Sequence, residues 1–172
     1  MTTAVAVYAD GGVIGRNPSE DGGTWATCHV DAAGQRVWTA SGRIDFEDVG
    51  GLVTNNQSEF YALLSGLEEL PAGWSGKVCT DSLVTIRRFR DDGRLWGIPL
   101  PWRKRMALVL GRLGALEYVL LDGHPTKAQL AAGRGKRGSP VSIHNVWCDR
   151  ECGEVAKRYR LSRIAANARP LK

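Results

Sequence analysis

The stretch "TNNQSEFYALLSGLEEL", residues 54–70, decides the fold class more than any other part of the chain. Its apolar side chains recur at helical spacing, which predicts one amphipathic helix over residues 55–70. Ala62 and Gly66 are small enough to let this helix lie close on a sheet. Glu59 stands in the first turns, where it could compensate the helix dipole or face a site that needs a carboxylate. The apolar positions are Phe60, Leu63, Leu64, Leu67 and Leu70.

Short strands with polar or glycine-rich breaks lie on both sides of this helix. The predicted strands cover residues 4–9, 24–31, 36–43, 77–80 and 116–124. The predicted helices cover residues 55–70, 82–90, 103–115 and 144–160, and a break rich in glycine and proline covers 91–102. This order predicts an α/β fold with a single five-stranded mixed sheet and helices packed on both faces.

The composition is that of an ordinary globular protein. The 172 residues, 43% of them hydrophobic and 24% charged, fit a single domain over 1–172 with its own core. No apolar run approaches the roughly 18 residues that a membrane span needs, and the N-terminus lacks the basic region of a signal peptide. We therefore expect a soluble, monomeric protein of the cytoplasm, with no membrane partner.

The net charge of +5 is distributed unevenly along the chain. The basic clusters all lie after residue 86, at 87–90, 103–105, 134–137 and 157–163. Such clusters are compatible with a polyanionic partner, and equally with a well-solvated surface.

The four cysteines form no CxxC pair. His144, Cys148 and Cys152 would share one face of the last helix, at the spacing i, i+4, i+8. A zinc site there would need a fourth ligand, which the sequence does not offer, so simple packing is the better interpretation.

Three acids occupy comparable places in the predicted elements. Asp10 ends the first strand, Asp81 ends the fourth, and Glu59 lies on the helix that leads to the fourth strand. If the first and fourth strands are parallel neighbours, these acids meet at one edge of the sheet, and Asp149 on the last helix is the natural fourth. Clustered carboxylates repel, by roughly 4 kcal/mol at about 4 Å and a dielectric near 20, so such a cluster needs hard cations such as Mg²⁺.

Each acid also has a purely structural interpretation. Asp10 before two glycines suits a turn, Glu59 suits the first turn of a helix, and Asp81 suits a helix N-cap. It is their joint placement that favours a site.

Taken in order and at these separations, five motifs resemble type 1 ribonuclease H over nearly the whole chain. They are "YADGG" (8–12), "TNNQSEFYALLSGLEEL" (54–70), "TDS" (80–82), "DGH" (122–124) and "NVWCDRECGEVAK" (145–157). The resemblance implies a ribonuclease H-like fold and cleavage of the RNA strand of RNA–DNA hybrids by a two-metal-ion mechanism, which leaves 5′-phosphate and 3′-hydroxyl ends. The cofactor would be two Mg²⁺ ions, with Mn²⁺ as a substitute. The catalytic residues would be Asp10, Glu59, Asp81, His124 and Asp149, of which all but His124 would be metal ligands.

The same resemblance points to residues that would bind the hybrid. Glycine backbone allows close approach of a strand, side-chain amides can reach groove edges, and basic residues can meet phosphates. The candidates are Gly11, Gly12, Asn17, Thr54, Asn55, Asn56, Gln57, Arg87, Arg88, Arg103, Lys104 and Arg105. Trp96 and Trp102 could add to this grip, because the full basic helix of many relatives is missing here.

The sequence departs from the family after His124. The gap from His124 to Asp149 is longer than is usual in the family. The composition of residues 125–143 predicts a long cationic, Gly-rich loop that is either a flexible spacer or a flap over the substrate. The C-terminal extension 161–172 has no counterpart, and we expect it to fray.

Two other functions remain open from the sequence. A non-catalytic nucleic-acid-binding module could retain the fold, although it would be expected to lose at least one of the four acids. A dehalogenase-type phosphatase also begins with a strand that ends in aspartate, but it needs a second acid at position 12, which is glycine.

Overall fold

A computed structural model describes residues 3–90 and 94–167 of the chain. The strands are β1 Ala4–Val13, β2 Gly23–Asp31, β3 Arg36–Ile44, β4 Gly76–Thr80 and β5 Leu116–Leu120. The helices are α1 Phe46–Val49, α2 Asn55–Glu68, α3 Leu83–Arg90, α4 Leu100–Arg112, α5 Lys127–Ala132 and α6 Ile143–Asn167. The predicted break at 91–102 and the predicted extension at 161–172 therefore lie partly outside the described residues.

The strands form one mixed sheet in the order β3-β2-β1-β4-β5. β2 pairs antiparallel with both β1 and β3, whereas β4 pairs parallel with both β1 and β5. The predicted five-stranded mixed sheet is confirmed, and so is the condition that the first and fourth strands are neighbours. The connection from β3 to β4 passes through α2, which packs against β1 and β2.

Helices cover both faces of the sheet, as the sequence predicts. On one face, Phe60, Leu63, Leu64 and Leu67 of α2 are fully buried. Burial of each such side chain contributes about 1.5–3 kcal/mol. On the other face, α6 packs its cysteines on small residues of β1 and β2. The end of the sheet between these two layers is where side chains from both helices can meet.

Two boundaries differ from the predictions in ways that bear on the site. β1 does not stop at its glycines but continues to Val13, because β2 pairs with it through Gly11 and Gly12. β5 ends at Leu120 rather than at residue 124, so His124 lies beyond the sheet.

The segment 125–143, predicted as a loop throughout, contains the helix α5 and an isolated bridge between Arg134 and Pro140. The sequence signal for α5 is a capping box, in which Thr126 caps the helix and the Gln129 side chain accepts from the Thr126 N–H. A loop interpretation based on composition misses it.

The C-terminal extension, predicted to fray, continues α6 as far as Asn167. Its Arg163 forms an ion pair with Asp21, and Tyr159 one turn earlier lies under Arg43. In the described ranges, no helix combines the length and the apolar character that crossing a membrane requires.

Candidate active site at the carboxyl ends of two parallel strands

Asp10 and Asp81 lie side by side just beyond the point where the parallel pairing of β1 with β4 stops. The parallel register pairs Tyr8 with Cys79, and each acid is two residues further along its own strand. Side chains alternate along a strand, so the two carboxylates leave the sheet on the same side. Burial raises the pKa of Asp10 most, and the negative charge of Asp81 raises it next. The topology thus brings together two acids that are 71 positions apart in the sequence.

Glu59 reaches the same place from α2. The helix starts at the N-cap Thr54, whose side chain accepts from the Gln57 N–H. Gly11 lets the helix close on β1, because a methyl group at this position would collide with the backbone of Ser58 and Glu59. The Asn55 amide donates to Glu59 Oε1 over 2.8 Å and fixes the direction of the carboxylate.

Asp149 comes from α6 on the other face of the sheet. The thiols of Cys148 and Cys152 donate to the carbonyls of Tyr8 and Asp10, over 3.7 and 3.4 Å. These contacts fasten the helix along β1. The Asp149 side chain is 49% exposed, and its charge raises the pKa of Asp10.

The electrostatics of the pocket disfavour bare negative charge. Burial raises the pKa of Asp10 well above its ordinary value, and Asp81, Asp149 and Glu59 raise it further. Burial likewise raises the pKa of Glu59 and that of Asp81. The Gly11 N–H, which donates to Asp10 Oδ1 over 2.8 Å, opposes this effect only in part. Buried acids that lie close to one another bind either protons or cations.

The donor chemistry of the pocket fits hard divalent cations. Its ligands are all carboxylate oxygens, which Mg²⁺ and Mn²⁺ prefer. Among residues 3–90 and 94–167, no three Asp, Glu, His or Cys side chains lie close enough together to hold one ion between them. The acids are close enough for three of them to raise the pKa of Asp10, but the described residues do not form a closed cage. A cation that draws them together would offset a repulsion of roughly 4 kcal/mol for each close pair.

His124 stands at the rim of this pocket. Its Nδ1 lies 3.5 Å from Asp149 Oδ2, and its side chain is 79% exposed. The backbone of His124 is left-handed, with φ of 49°, which is uncommon for a residue other than glycine. This geometry directs the chain away from β5 and leaves the imidazole accessible beside the acids.

Two polar residues of the site were missed by sequence reasoning. Asn145, one helical turn before Asp149, is buried and donates to the Asp81 carboxylate, which lowers the Asp81 pKa. Its Oδ1 has no hydrogen-bond partner among the described residues. Ser82 hydrogen-bonds to Glu59 and lowers its pKa. Asn145 could have been found from the sequence, because a spacing of four residues puts it on the same helix face as Asp149. The contact of Ser82 with Glu59 could not, because it depends on the tertiary structure.

The predicted amide residues cluster beside Glu59. Asn17 Oδ1 accepts from the Asn55 N–H over 3.2 Å, and the Asn56 carbonyl accepts from Arg88. Thr54 and Gln57, in contrast, are occupied by capping α2, and the Gln57 amide also donates to the Gly97 carbonyl. These two residues shape the site from beneath, and their role in binding a substrate stays a prediction.

The predicted basic residues divide into two groups. Arg87 and Arg88 lie on α3, and Arg88 is close enough to Glu59 to lower its pKa. The second group lies on α4, where Arg105 makes a two-pronged ion pair with Glu68 at the far end of α2.

Among the remaining α4 residues, the Arg103 Nε donates to the Ile98 carbonyl, and Lys104 is exposed. The predicted grip by Trp102 is wrong, because its ring is 4% exposed and packs on Phe60 and Tyr61. Trp96 is 89% exposed.

The cysteines of α6 pack rather than bind a metal. Cys148 and Cys152 donate to β1 carbonyls, as described above, and lie against Cys28. His144 lies against the Tyr8 ring, with its Nδ1 3.3 Å from Arg36. The packing interpretation of these residues therefore agrees with the structure.

Comparison with known proteins identifies the fold. No protein-family model and no curated protein sequence matches the chain. Solved structures do match, among them the N-terminal RNase H domain of rv2228c from Mycobacterium tuberculosis. It is 18% identical, with a TM-score of 0.58, over 93% of this chain and 99% of that one.

Two further matches are similar in extent. LC11-RNase H1, isolated from compost and solved in complex with an RNA/DNA hybrid, is 19% identical, with a TM-score of 0.59, over 89% of this chain and 96% of that one. RNase H1 from the archaeon Halobacterium salinarum is 19% identical, with a TM-score of 0.56, over 90% of this chain and 98% of that one. The chain therefore has the ribonuclease H-like fold.

Proposed function

We propose that the protein is a metal-dependent endoribonuclease that hydrolyses the RNA strand of RNA–DNA hybrids. The observation that supports this most is the proximity of Glu59, Asp81 and Asp149 to Asp10, just beyond the parallel pairing of β1 with β4. The fold adds support, since one structural neighbour was solved with an RNA/DNA hybrid bound.

The four acids would hold two Mg²⁺ ions, or Mn²⁺ as a substitute. Such a pair of ions supplies an activated water and stabilises the leaving oxygen of a phosphodiester. The protein contributes orientation: Asn55 directs Glu59, and Asn145 directs Asp81. His124, exposed beside Asp149, would move a proton or help product leave. The products would carry 5′-phosphate and 3′-hydroxyl ends.

Recognition of the hybrid would rest on the amide cluster beside Glu59. RNA differs from DNA by its 2′-hydroxyl groups, which line the wide minor groove of the hybrid. Asn17, Asn55 and Asn56 lie together at the edge of the pocket and can donate to or accept from such groups. Arg87 and Arg88 on α3 would meet phosphates on the same side.

A cytoplasmic location and a monomeric state complete the proposal. All four cysteines are free thiols and buried, as is usual in a reducing compartment. Size-exclusion chromatography with light scattering tests the monomer, and fluorescence microscopy of a tagged chain tests the location.

One assay tests the proposed activity. Labelled RNA–DNA hybrid, duplex RNA, duplex DNA and a small phosphate ester are each incubated with the protein in Mg²⁺ or in EDTA. We expect only the hybrid to be cut, only with Mg²⁺, and not by Asp10→Asn. The matched control is Glu117→Gln, which removes an exposed acid from the opposite end of the parallel strands. Binding without cutting would instead favour the non-catalytic module, and turnover of the ester alone would favour a phosphatase.

A further inference from the structure

The cationic part of the 125–143 segment is an ordered hairpin. Residues 134–140, here called the cationic hairpin, are closed by a bridge between Arg134 and Pro140. Inside it, the Gly135 N–H donates to the Ser139 carbonyl over 2.9 Å, and the Gly138 N–H donates to the Gly135 carbonyl over 3.1 Å. The turn thus has its own backbone hydrogen bonds.

A buried acid fastens the cationic hairpin to the sheet. Asp122, two residues after the end of β5, is 4% exposed. It accepts from the Arg137 N–H over 2.8 Å and from Arg137 Nε over 2.5 Å, and its own N–H donates to the Pro140 carbonyl over 2.9 Å. Gly135 packs directly on the carboxylate, where a methyl group would collide with it. The hairpin is therefore fixed at both sides of its turn.

This attachment places the hairpin beside the acids of the candidate site. Gly123, next to Asp122, packs so closely on Asp81 that a methyl group would strike the carboxylate. A cavity of about 480 Å³ follows, and its walls include Asp81, His124, Thr126 and Lys136. The same cavity is thus lined by a metal-ligand candidate, Asp81, and by a cationic side chain, Lys136.

Lys136 is available for a ligand. It lies between Gly135 and Arg137, both of which are held by Asp122, so its backbone position is set. Its side chain is exposed, and no acidic group among the described residues forms an ion pair with it. Arg137, in contrast, is engaged by Asp122. The hairpin therefore uses one cation for its own structure and presents another to the cavity.

We propose that the cationic hairpin is a phosphate-binding site for the nucleic-acid strand being cut, with Lys136 as the contact and Arg137 as the residue that positions it. This inference rests on the proposed function, because the strand must lie over Asp81 for its next phosphate to enter the same cavity. The site would replace part of the basic helix that the sequence, compared with type 1 ribonuclease H, predicts to be missing. Arg134, exposed at the base of the hairpin, would add a weaker contact.

The test is the salt dependence of hybrid binding, measured by fluorescence anisotropy in EDTA so that no cleavage occurs. Each phosphate contact contributes about 0.9 to the slope of log K against log salt, so Lys136→Ala should lower the slope by about 1. We expect its affinity to fall about fivefold at roughly 50 mM salt and less at higher salt, and Lys136→Arg to restore both values. The matched control is Lys127→Ala, which removes an exposed lysine of α5 outside the cavity and should stay within about twofold.

The outcomes separate this inference from the proposed activity. Wild-type protein that cuts hybrid, together with a Lys136→Ala variant of unchanged slope and affinity, would overturn the phosphate site and leave the nuclease intact. A variant with an unchanged slope and a raised Mg²⁺ requirement would also overturn it, since Lys136 would then only offset the charge of the acids. Hybrid bound with the predicted slopes but never cut would support the site and refute the nuclease.

Discussion

Two buried aspartates, Asp10 within β1 and Asp122 just after β5, show opposite electrostatic behaviour. They are 8% and 4% exposed, respectively. Burial and the neighbouring acids raise the pKa of Asp10, whereas the hydrogen bonds from Arg137 lower the pKa of Asp122. The difference lies in their partners: Asp122 has a guanidinium within the chain, and Asp10 has Asp81, Glu59 and Asp149.

The comparison separates a structural acid from a functional one. A carboxylate that is satisfied inside the protein fastens a segment, here the cationic hairpin. A carboxylate surrounded by other acids costs stability until a cation arrives from outside. Burial alone does not distinguish the two, because both aspartates are almost equally inaccessible.

The largest effect is expected for Asp10→Asn, which should reduce hybrid cleavage in Mg²⁺ by about a thousandfold. The two ions contribute several kcal/mol to the transition state, and each 1.36 kcal/mol corresponds to a factor of about ten. A rate within tenfold of wild type, measured with labelled hybrid, would show that Asp10 is no part of the reaction.

The same substitution should make the metal-free protein more stable. The raised pKa of Asp10 means that the folded chain binds the proton more tightly than the unfolded chain. The resulting stability is present below about pH 3.9 and is lost as the pH rises through the folded pKa. Replacing the charge by an amide should therefore raise the free energy of unfolding at pH 7. Urea denaturation in EDTA measures this, and a decrease would contradict the comparison.

Gly123→Ala should reduce cleavage by about a hundredfold, because a misplacement of about 1 Å costs roughly that much. The added methyl group would strike the Asp81 carboxylate and move it. Hybrid affinity in EDTA should be unchanged, since no phosphate contact is lost. Gly153→Ala, on α6 where a methyl group meets nothing, is the control and should leave the rate unaltered.

Asp122→Asn should act in the opposite direction to Asp10→Asn on stability. The pKa of Asp122 is lowered in the folded chain, so its contribution is present above about pH 3.9 and is lost as the pH falls through the folded pKa. The substitution should destabilise the protein at pH 7 and accelerate hydrogen exchange at residues 135–138. Hybrid affinity should fall about fivefold as Lys136 loses its fixed position. Protection at these amides that equals wild type would show that Arg137 does not depend on the charge.

The smallest effect is proton release on Mg²⁺ binding. Burial raises the pKa of Asp10, Glu59 and Asp81, so each holds its proton to higher pH until a cation displaces it. We expect Mg²⁺ binding to release protons, and to release more of them at pH 6 than at pH 8. Calorimetry in buffers of different ionisation enthalpy detects it, and the release should shrink in Asp10→Asn. Binding enthalpies that are independent of the buffer at both pH values would contradict this.

The sheet and the convergence of its acids were accessible from the sequence. Short strands around one long amphipathic helix predict the order of elements, and parallel neighbours place Asp10 and Asp81 at one edge. These features depend on local periodicity and on general rules of chain connection.

What the sequence did not reveal depends on partners that are distant along the chain. Arg137 reads as one more basic residue until Asp122, fifteen positions earlier, is seen to hold it. Likewise Arg105 looks free for a substrate until Glu68 appears beside it. Trp102 looks exposed among prolines and basic residues, yet it is buried in the core. Charge and composition indicate which residues could bind a substrate. Tertiary contacts determine which of those residues are free to do so.

The most direct measurement is anomalous diffraction from crystals grown with Mn²⁺ and a hybrid, using Asp10→Asn as the comparison. The account predicts two peaks about 3.5–4 Å apart among the carboxylates of Asp10, Glu59, Asp81 and Asp149, and the loss of at least one peak in the variant. Peaks elsewhere in the molecule, or two peaks that persist without the Asp10 charge, would contradict it.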